Sequence, residues 1–430
     1  MAENKLFILA DDLTGANDTA IQFVKNGFSA MVAIHDWFSP SVFSGYNIIS
    51  INSDTRAMNA QDAYNAVRKL IQRLNAAKLE GTYYKKVDSV LRGNPGAELA
   101  AVMDELCISL AIVAPSFPAN RSILEQGILK SGKTVPQASI DAVKIFADSM
   151  EKKAENIPLE TIRQGHIKAA EYVLSRYDCG VQVFVADAVT NEDLAIISRI
   201  PAVVEKPLVL AGSGALANEA AQNTDMKRLT IERPAASEPS TPVLVICGTQ
   251  QGETAIQIKT LSDKLSAPIV RFQTELVKKG QPEEAIKMAL NEAKQSMKKN
   301  PNICIVAVDT LFRAEIPEGN VVWDKPANDT DSQAISAAIG KLTVNLTGAF
   351  CFPVMFSTGG DTSLEICKHL GVLGIQPMTE ICPGIPIGKI VGGSCENRYI
   401  ITKSGRFGDK DSLVEIMNYV DNPAIYRQVI

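Results

Sequence analysis

The sequence predicts an α/β protein: two domains, each an open, mostly parallel sheet flanked by helices, with a ligand cleft between them. Three observations predict it. Short apolar runs alternate with stretches of helical periodicity from one end of the chain to the other. The stretch Pro234 to Pro242, rich in proline, alanine and serine, interrupts that alternation and has the composition of a linker. Glycines and charged residues gather where the apolar runs stop, and in open parallel sheets ligands bind at those ends. The expected division is a first domain over residues 1–234, a linker over 235–242 and a second domain over 243–430.

In chain order, Leu6–Ala10 reads as a strand that runs straight into Asp11-Asp12-Leu13-Thr14-Gly15. The two acids either cap the helix through Ile21, Phe23 and Val24 or serve a ligand. Asn47–Asn52 is a strand ending in Ser53-Asp54-Thr55-Arg56, and Ala63, Val67, Leu70, Ile71 and Leu74 mark the helix behind it. Arg56 is either a surface charge or a ligand contact. Thr82–Val87 alternates like a strand and leads into Asp88 to Gly93. Lys86, Asp88, Ser89 and Arg92 therefore collect around one strand end and one helix start. Ser109–Ala114 is a strand, and residues 141–175 read as helical. Gln182–Ala186, with Asp187 at its end, and Pro207–Ala211 are further strands.

Two motifs look like nucleotide loops. Gly127 to Thr134 satisfies G-x-x-x-x-G-K-[ST], but polar residues precede it and Pro136 follows. Ile128–Lys130 and Lys133–Val135 read better as the arms of a small hairpin. Gly212-Ser213-Gly214-Ala-Leu-Ala217 has the form G-x-G-x-x-A, with Glu232 downstream, and would suit an NAD-dependent oxidoreductase. That fingerprint normally opens a domain, however, and here it closes one.

The second half restarts with Val243–Cys247, ending in Gly248-Thr249, and continues through strands at Pro268–Val270 and Asn302–Ala307 and a helix over Ser336–Leu346. Ala349–Phe356 then reads as one buried strand, far too short to span a membrane. Ser357 to Gly360 breaks it, and Asp361-Thr362-Ser363 reads as the N-cap and first turn of a helix. Strand, glycine turn and helix start aim backbone N–H groups and a helix dipole at an anion. Lys389–Gly393 and Tyr399–Thr402 follow, the latter stopping at Lys403-Ser404-Gly405. The cationic first half suits a carboxylate-bearing substrate, which arginine grips with a bidentate fork. The glycine-rich second half suits polyphosphate, and two such domains suit a transferase.

Composition narrows the class. With 46% hydrophobic and 21% charged residues, the chain has the balance of an ordinary soluble protein. A net charge of −5 argues against nucleic acid or an anionic membrane as the main partner. The eight cysteines form no C-x-x-C pair and read as reduced core thiols rather than a zinc or disulfide framework. Leu6–Ala10 passes directly into two acids, unlike a signal peptide, so a cytoplasmic protein is expected.

Five motifs occur in order: Ala10-Asp-Asp-Leu-Thr-Gly-Ala16, Lys86-Val-Asp-Ser-Val-Leu-Arg-Gly93, Gly212-Ser-Gly214, Gly359-Gly-Asp-Thr362 and Thr402-Lys-Ser-Gly-Arg-Phe-Gly408. On these the chain resembles the four-carbon acid sugar kinase family over essentially its whole length. The resemblance implies a sugar-binding N-terminal domain, a nucleotide-binding C-terminal domain, and ATP-dependent phosphorylation of the 4-hydroxyl of a four-carbon sugar acid. ATP and Mg²⁺ are the implied cofactors, with no metal ligands assigned. By motif, the sugar acid falls to Asp12, Arg56, Lys86, Asp88 and Ser89, with Arg92 beside them. ATP falls to Thr249, Gly359, Gly360, Asp361, Thr362 and Gly405. The Lys-x-Asp-Ser form looks most like the D-threonate/D-erythronate branch. D-threonate is the first expectation, with D-erythronate or 3-oxo-tetronate as alternatives.

Asp361, where glutamate is commoner, Val90, where threonine is usual, and Asn120-Arg-Ser, which lacks a glycine, depart from the family pattern. The three histidines (35, 166 and 369) lie outside every motif, so a carboxylate is expected to take the hydroxyl proton. Asp12 comes first and Asp88 second. The expected partners are the sugar acid and ATP, with a homo-oligomer left open. The rival to catalysis is a sugar-acid sensor, which would need a DNA- or partner-binding module that no basic helix supplies.

Overall fold

The computed structural model describes residues 5–34, 41–131, 138–224, 226, 228, 242–312, 330–405 and 407–421. The chain divides into two compact units, Met1–Ile231 and Glu232–Ile430. Residues 235–241 of the expected linker lie outside the described residues.

The strands of the first unit are β1 (Lys5–Ala10), β2 (Ala30–Ala33), β3 (Ile48–Asn52), β4 (Gly81–Lys86), β5 (Ala111–Ala114), β6 (Ser122–Glu125), β7 (Ile128–Ser131), β8 (Ala138–Asp141), β9 (Ala154–Ile157), β10 (Val183–Ala186) and β11 (Val209–Gly212). Its helices are α1 (Leu13–Lys25), α2 (Ala60–Ala76), α3 (Pro95–Glu105), α4 (Ala142–Met150), α5 (Leu159–Arg163), α6 (His166–Tyr177), α7 (Asn191–Arg199) and α8 (Gly214–Gln222). The main sheet runs β2-β3-β1-β4-β11-β5-β10-β9, with every neighbouring pair parallel. β1, β5 and β10 are buried over most or all of their length, which is why they read as continuous apolar runs. From β1 the chain crosses to β2 on one side, and from β4 it crosses to β5 on the other. The carboxyl ends of β1 and β4 therefore flank a topological switch point, where such sheets open a crevice.

β6, β7 and β8 form a second, antiparallel sheet, in which β7 holds the first arm of the expected hairpin. β7 pairs with β6 across a turn at Gln126-Gly127, where Gly127 has φ +72°. Its other neighbour is Ala138–Asp141, and the second arm expected over Lys133–Val135 lies outside the described residues. Gly127 thus serves a strand-to-strand turn, while Gly132, Lys133 and Thr134 lie outside the described residues. The stretch 141–175, expected to be helical throughout, contains the edge strand β9. β9 alternates too little to announce itself, since three of its four residues are only half buried.

The second unit contains β12 (Val243–Cys247), β13 (Ile269–Phe272), β14 (Ile303–Val308), β15 (Val354–Thr358), β16 (Gly374–Cys382), β17 (Ile385–Val391) and β18 (Tyr399–Lys403). Its helices are α9 (Gly252–Leu265), α10 (Thr274–Lys278), α11 (Pro282–Lys299), α12 (Thr330–Ala349), α13 (Gly360–His369) and α14 (Ser412–Asp421). The order is β13-β14-β12-β15-β18-β17-β16, parallel as far as β18 and antiparallel beyond it. Here β12 leads away to β13 on one side and β15 to β16 on the other, so the switch point lies between β12 and β15.

The strand expected over Ala349–Phe356 begins later. Ala349 closes α12, the lead-in carries Pro353, which has no N–H for a ladder, and the strand takes in Ser357 and Thr358. The N-cap of α13 is Gly359, not Asp361, which stands in the first turn. Among the described residues no helix is long and apolar enough to cross a membrane, and all eight cysteines are free thiols.

Candidate active site

The switch point of the first unit holds a charged cluster assembled from three adjacent strand ends. β1 delivers Asp11 and Asp12, β3 delivers Arg56, and β4 delivers Lys86 and the loop Asp88–Arg92. Arg56 is the hub. Its Nε and Nη2 donate to Asp11 Oδ2 (2.7 Å) and Oδ1 (2.9 Å), its Nη1 donates to Asp12 Oδ2 at 2.6 Å, and Nη2 lies 3.6 Å from Asp88 Oδ1. The side fork expected to grip a substrate carboxylate is therefore occupied by Asp11, and the end of the guanidinium faces Asp12 and Asp88.

Asp12 is also the N-cap of α1, its Oδ1 accepting Gly15 N–H at 2.8 Å. Of the two roles open on sequence grounds, the cap is present, and the second carboxylate oxygen faces Arg56. Asp88 is more heavily committed. Arg92 donates to it through Nε (3.1 Å) and Nη2 (2.8 Å), and the backbone N–H groups of Val90 (3.2 Å) and Arg92 (3.1 Å) donate to Oδ2. Burial would raise its pKa, but Arg92, Arg56 and these bonds outweigh it and hold the carboxyl far below the usual range. For Asp11, burial is likewise outweighed by Arg56, leaving a lowered pKa. Lys86 is 5% exposed. Its Nζ donates to Val87 O, and a Cβ placed on Gly15 would stand 3.3 Å from it and 2.7 Å from Asp12 Oδ1. Ser89 is half buried, and its carbonyl accepts Ser122 Oγ–H of β6.

Beneath this cluster lies a layer that sequence reading missed. Lys85 points to the opposite face of β4 from Lys86 and is 1% exposed. Its Nζ pairs with Glu98 Oε2 at 2.7 Å and donates to the carbonyls of Leu9 and Lys86. Glu98 Oε1 accepts Thr55 Oγ1–H at 2.8 Å. Burial raises the Glu98 pKa, with Lys85 opposing. One ion pair so ties together the ends of β1 and β4, the loop before Arg56, and α3. The available signal was two consecutive lysines in a strand buried toward its end, since burying both requires partners on both faces.

In the second unit, Thr249, Gly359 and Gly405 stand after the neighbouring strands β12, β15 and β18. Gly248 N–H donates to Thr358 O and Gly359 N–H to Lys403 O, continuing the ladder past the strand ends. A Cβ on Gly248 would collide with the Thr362 hydroxyl, and one on Gly405 would lie 2.6 Å from Thr249 Oγ1. Gly359 has φ +104°, which a side chain would strain. Among the described residues no side chain caps α13, so its first turn, with Gly360, Asp361 and Thr362, offers N–H groups to an anion. Asp361 is exposed there. Lys403 does not reach outward. It is fully buried, donates to Ser404 O (2.9 Å), Phe407 O (3.0 Å) and Thr254 Oγ1 (3.4 Å), and burial lowers its pKa to about 8.

The glycines of Gly212-Ser213-Gly214 are filled by the chain itself. A Cβ on Gly212 would collide with Ala114 O, and one on Gly214 would lie 2.5 Å from Asp18 Oδ2. Ser213 Oγ caps α8 and donates to Ser116 O. The motif packs α8 against β5 and α1 and leaves no bare cradle for a pyrophosphate.

Comparison with known proteins agrees with this layout. Residues 6–220 match the model of a sugar-binding N-terminal domain, and residues 244–413 match that of a nucleotide-binding C-terminal domain. A D-threonate kinase of Salmonella typhimurium is 28% identical, over 97% of this chain and 98% of its own. A D-erythronate kinase of Heliobacterium modesticaldum is 24% identical, over 97% of each. Among solved structures, one from Salmonella typhimurium superposes with a TM-score of 0.72 at 20% identity, covering 96% of this chain and 99% of that one, a likeness of fold alone. With both domain models matched in order along the chain, this protein belongs to the four-carbon acid sugar kinase family.

Proposed function

We propose that the protein is an ATP-dependent kinase that phosphorylates the 4-hydroxyl of a four-carbon sugar acid, D-threonate first, in the cytoplasm. The observation that carries this reading is the pair of switch points: one sheet ends in carboxylates and cations, the other in an uncapped helix start and close-packed glycines. D-erythronate and 3-oxo-tetronate are the alternative acceptors.

Phosphoryl transfer depends mainly on in-line positioning and neutralisation of charge on the moving group. In the second unit, backbone N–H groups at Gly359–Thr362, with Thr249 and Gly405, hold the triphosphate. Among the described residues, no three His, Cys, Asp or Glu side chains cluster as a metal site. Mg²⁺ binds mainly through substrate phosphates and water with one or two carboxylates; Asp361, exposed in the α13 first turn, is the acid that would hold it. Bound there, the ion would offset phosphate charge. In the first unit, Lys86 and Arg92 supply positive charge to the sugar acid's carboxylate, Ser89 lies in the same loop, and Arg56 presents the end of its guanidinium. Asp12 accepts the proton of the attacking hydroxyl, a role typically worth about 10²–10⁴-fold. It carries two hydrogen bonds, whereas Asp88 Oδ2 alone accepts three, which suits Asp88 to shaping the loop.

The test is ADP release from ATP in the presence of D-threonate, D-erythronate and 3-oxo-tetronate in turn. Acid-dependent ADP release, greatest with D-threonate, is the expected result. No release with any of the three would overturn the reading.

A further inference from the structure

Asp11 has no part in the mechanism above, yet its contacts single it out. Its side chain is 3% exposed. Both carboxylate oxygens face one edge of Arg56, Oδ2 accepting Nε–H at 2.7 Å and Oδ1 accepting Nη2–H at 2.9 Å. Its carbonyl accepts the backbone N–H of Thr55 at 3.1 Å and of Arg56 at 3.3 Å. Gly93 closes the other side: a Cβ there would stand 3.2 Å from Asp11 Oδ2 and 3.3 Å from Arg56 Cα. With its side edge and backbone both held, Arg56 has little freedom left. Its end edge meets Asp12 at 2.6 Å and approaches Asp88 at 3.6 Å.

Resting on the reading of Asp12 as the base, we propose that Asp11 is a positioning residue that acts through Arg56, aiming the guanidinium so that Asp12 is held in place for the acceptor hydroxyl. The chemistry needs a carboxylate at position 11. An amide there has one acceptor oxygen and an NH₂ that cannot accept from the second Arg56 N–H, so the fork opens and the guanidinium turns. Displacements of about 1 Å near a reacting centre cost on the order of 10²-fold in rate.

A double-mutant cycle tests the proposal on the full chain, with D-threonate and ATP as substrates. Asp11→Asn is expected to lower kcat, expressed per folded enzyme, roughly 10- to 100-fold with the KM for ATP little changed. It is also expected to lower the melting temperature, because it leaves the half-buried Arg56 without its fork partner. In an Arg56→Lys background, which has no planar fork for position 11 to hold, the same change is expected to cost little more. An equal loss in both backgrounds would overturn the proposal, because Asp11 would then act without Arg56. A loss that merely follows the folded fraction would overturn it too. Should Asp11→Asn fail to accumulate as folded protein, Asp11→Glu, which keeps the charge but moves it by one methylene, takes its place with the same outcomes. If the unsubstituted protein turns over none of the three acids, the kinase reading itself fails, an outcome distinct from additivity in an active enzyme.

Discussion

Asp12 and Asp88 illustrate how environment separates two carboxylates that the sequence ranked only as first and second. Asp12 keeps acceptor capacity, and Asn in its place would still cap α1 through its side-chain oxygen while losing basicity. Asp12→Asn is therefore expected to lower kcat by about 10²–10⁴-fold with ATP affinity unchanged, as initial rates and nucleotide titration would record. Asp88, whose folded-state pKa is depressed, contributes stability that is fully present above its ordinary value of 3.8 and is lost as pH falls toward the folded value. The stability gap between the natural protein and Asp88→Asn, measured by denaturant unfolding, should thus be widest near neutral pH and shrink below about pH 4. The sequence marked both acids because polar residues stood where a strand had just ended. It could not mark Glu98 or Lys85 as partners, since their pairing depends on how α3 lies against β4, which no local pattern encodes.

At the scale of elements, most strands were legible because a strand buried on both faces must be apolar throughout. Boundaries fared worse where an apolar run served two purposes. Phe352 is buried but precedes β15, and periodicity does not distinguish a packed lead-in from a strand. The phosphate-type turn was visible in Gly359-Gly360, while Gly248 drew notice only as the end of β12, although Thr362 packs where its side chain would be. Gly248→Ala should displace the α13 first turn and weaken ATP binding roughly tenfold or more, with sugar-acid affinity unchanged, as paired titrations would show. Lys403 makes the converse point, for a lysine beside glycine in a kinase-like motif proves to be internal. Its folded pKa of about 8 lies below the unfolded 10.5, so the folded state binds fewer protons between those values, and stability should rise with pH across that window. Lys403→Met should abolish that rise in pH-dependent unfolding; persistence of the slope would assign it to other groups.

For the molecule as a whole, the division of labour follows from topology. Among the described residues, each unit has a pair of adjacent strands whose connections leave in opposite directions, and under the proposed reading each pair carries at its carboxyl ends the residues for one reactant. That pattern was readable as charge in one half and glycine in the other, while the strand order that creates each crevice was not, because crossovers are invisible to local periodicity. The most direct test of the whole account is the site of phosphorylation. With D-threonate and ATP, phosphorus–proton correlation by NMR should place the phosphate of the product on the 4-hydroxyl, with one ADP formed per acid consumed. Phosphate on another oxygen, or ADP formed with the acid recovered unmodified, would contradict it.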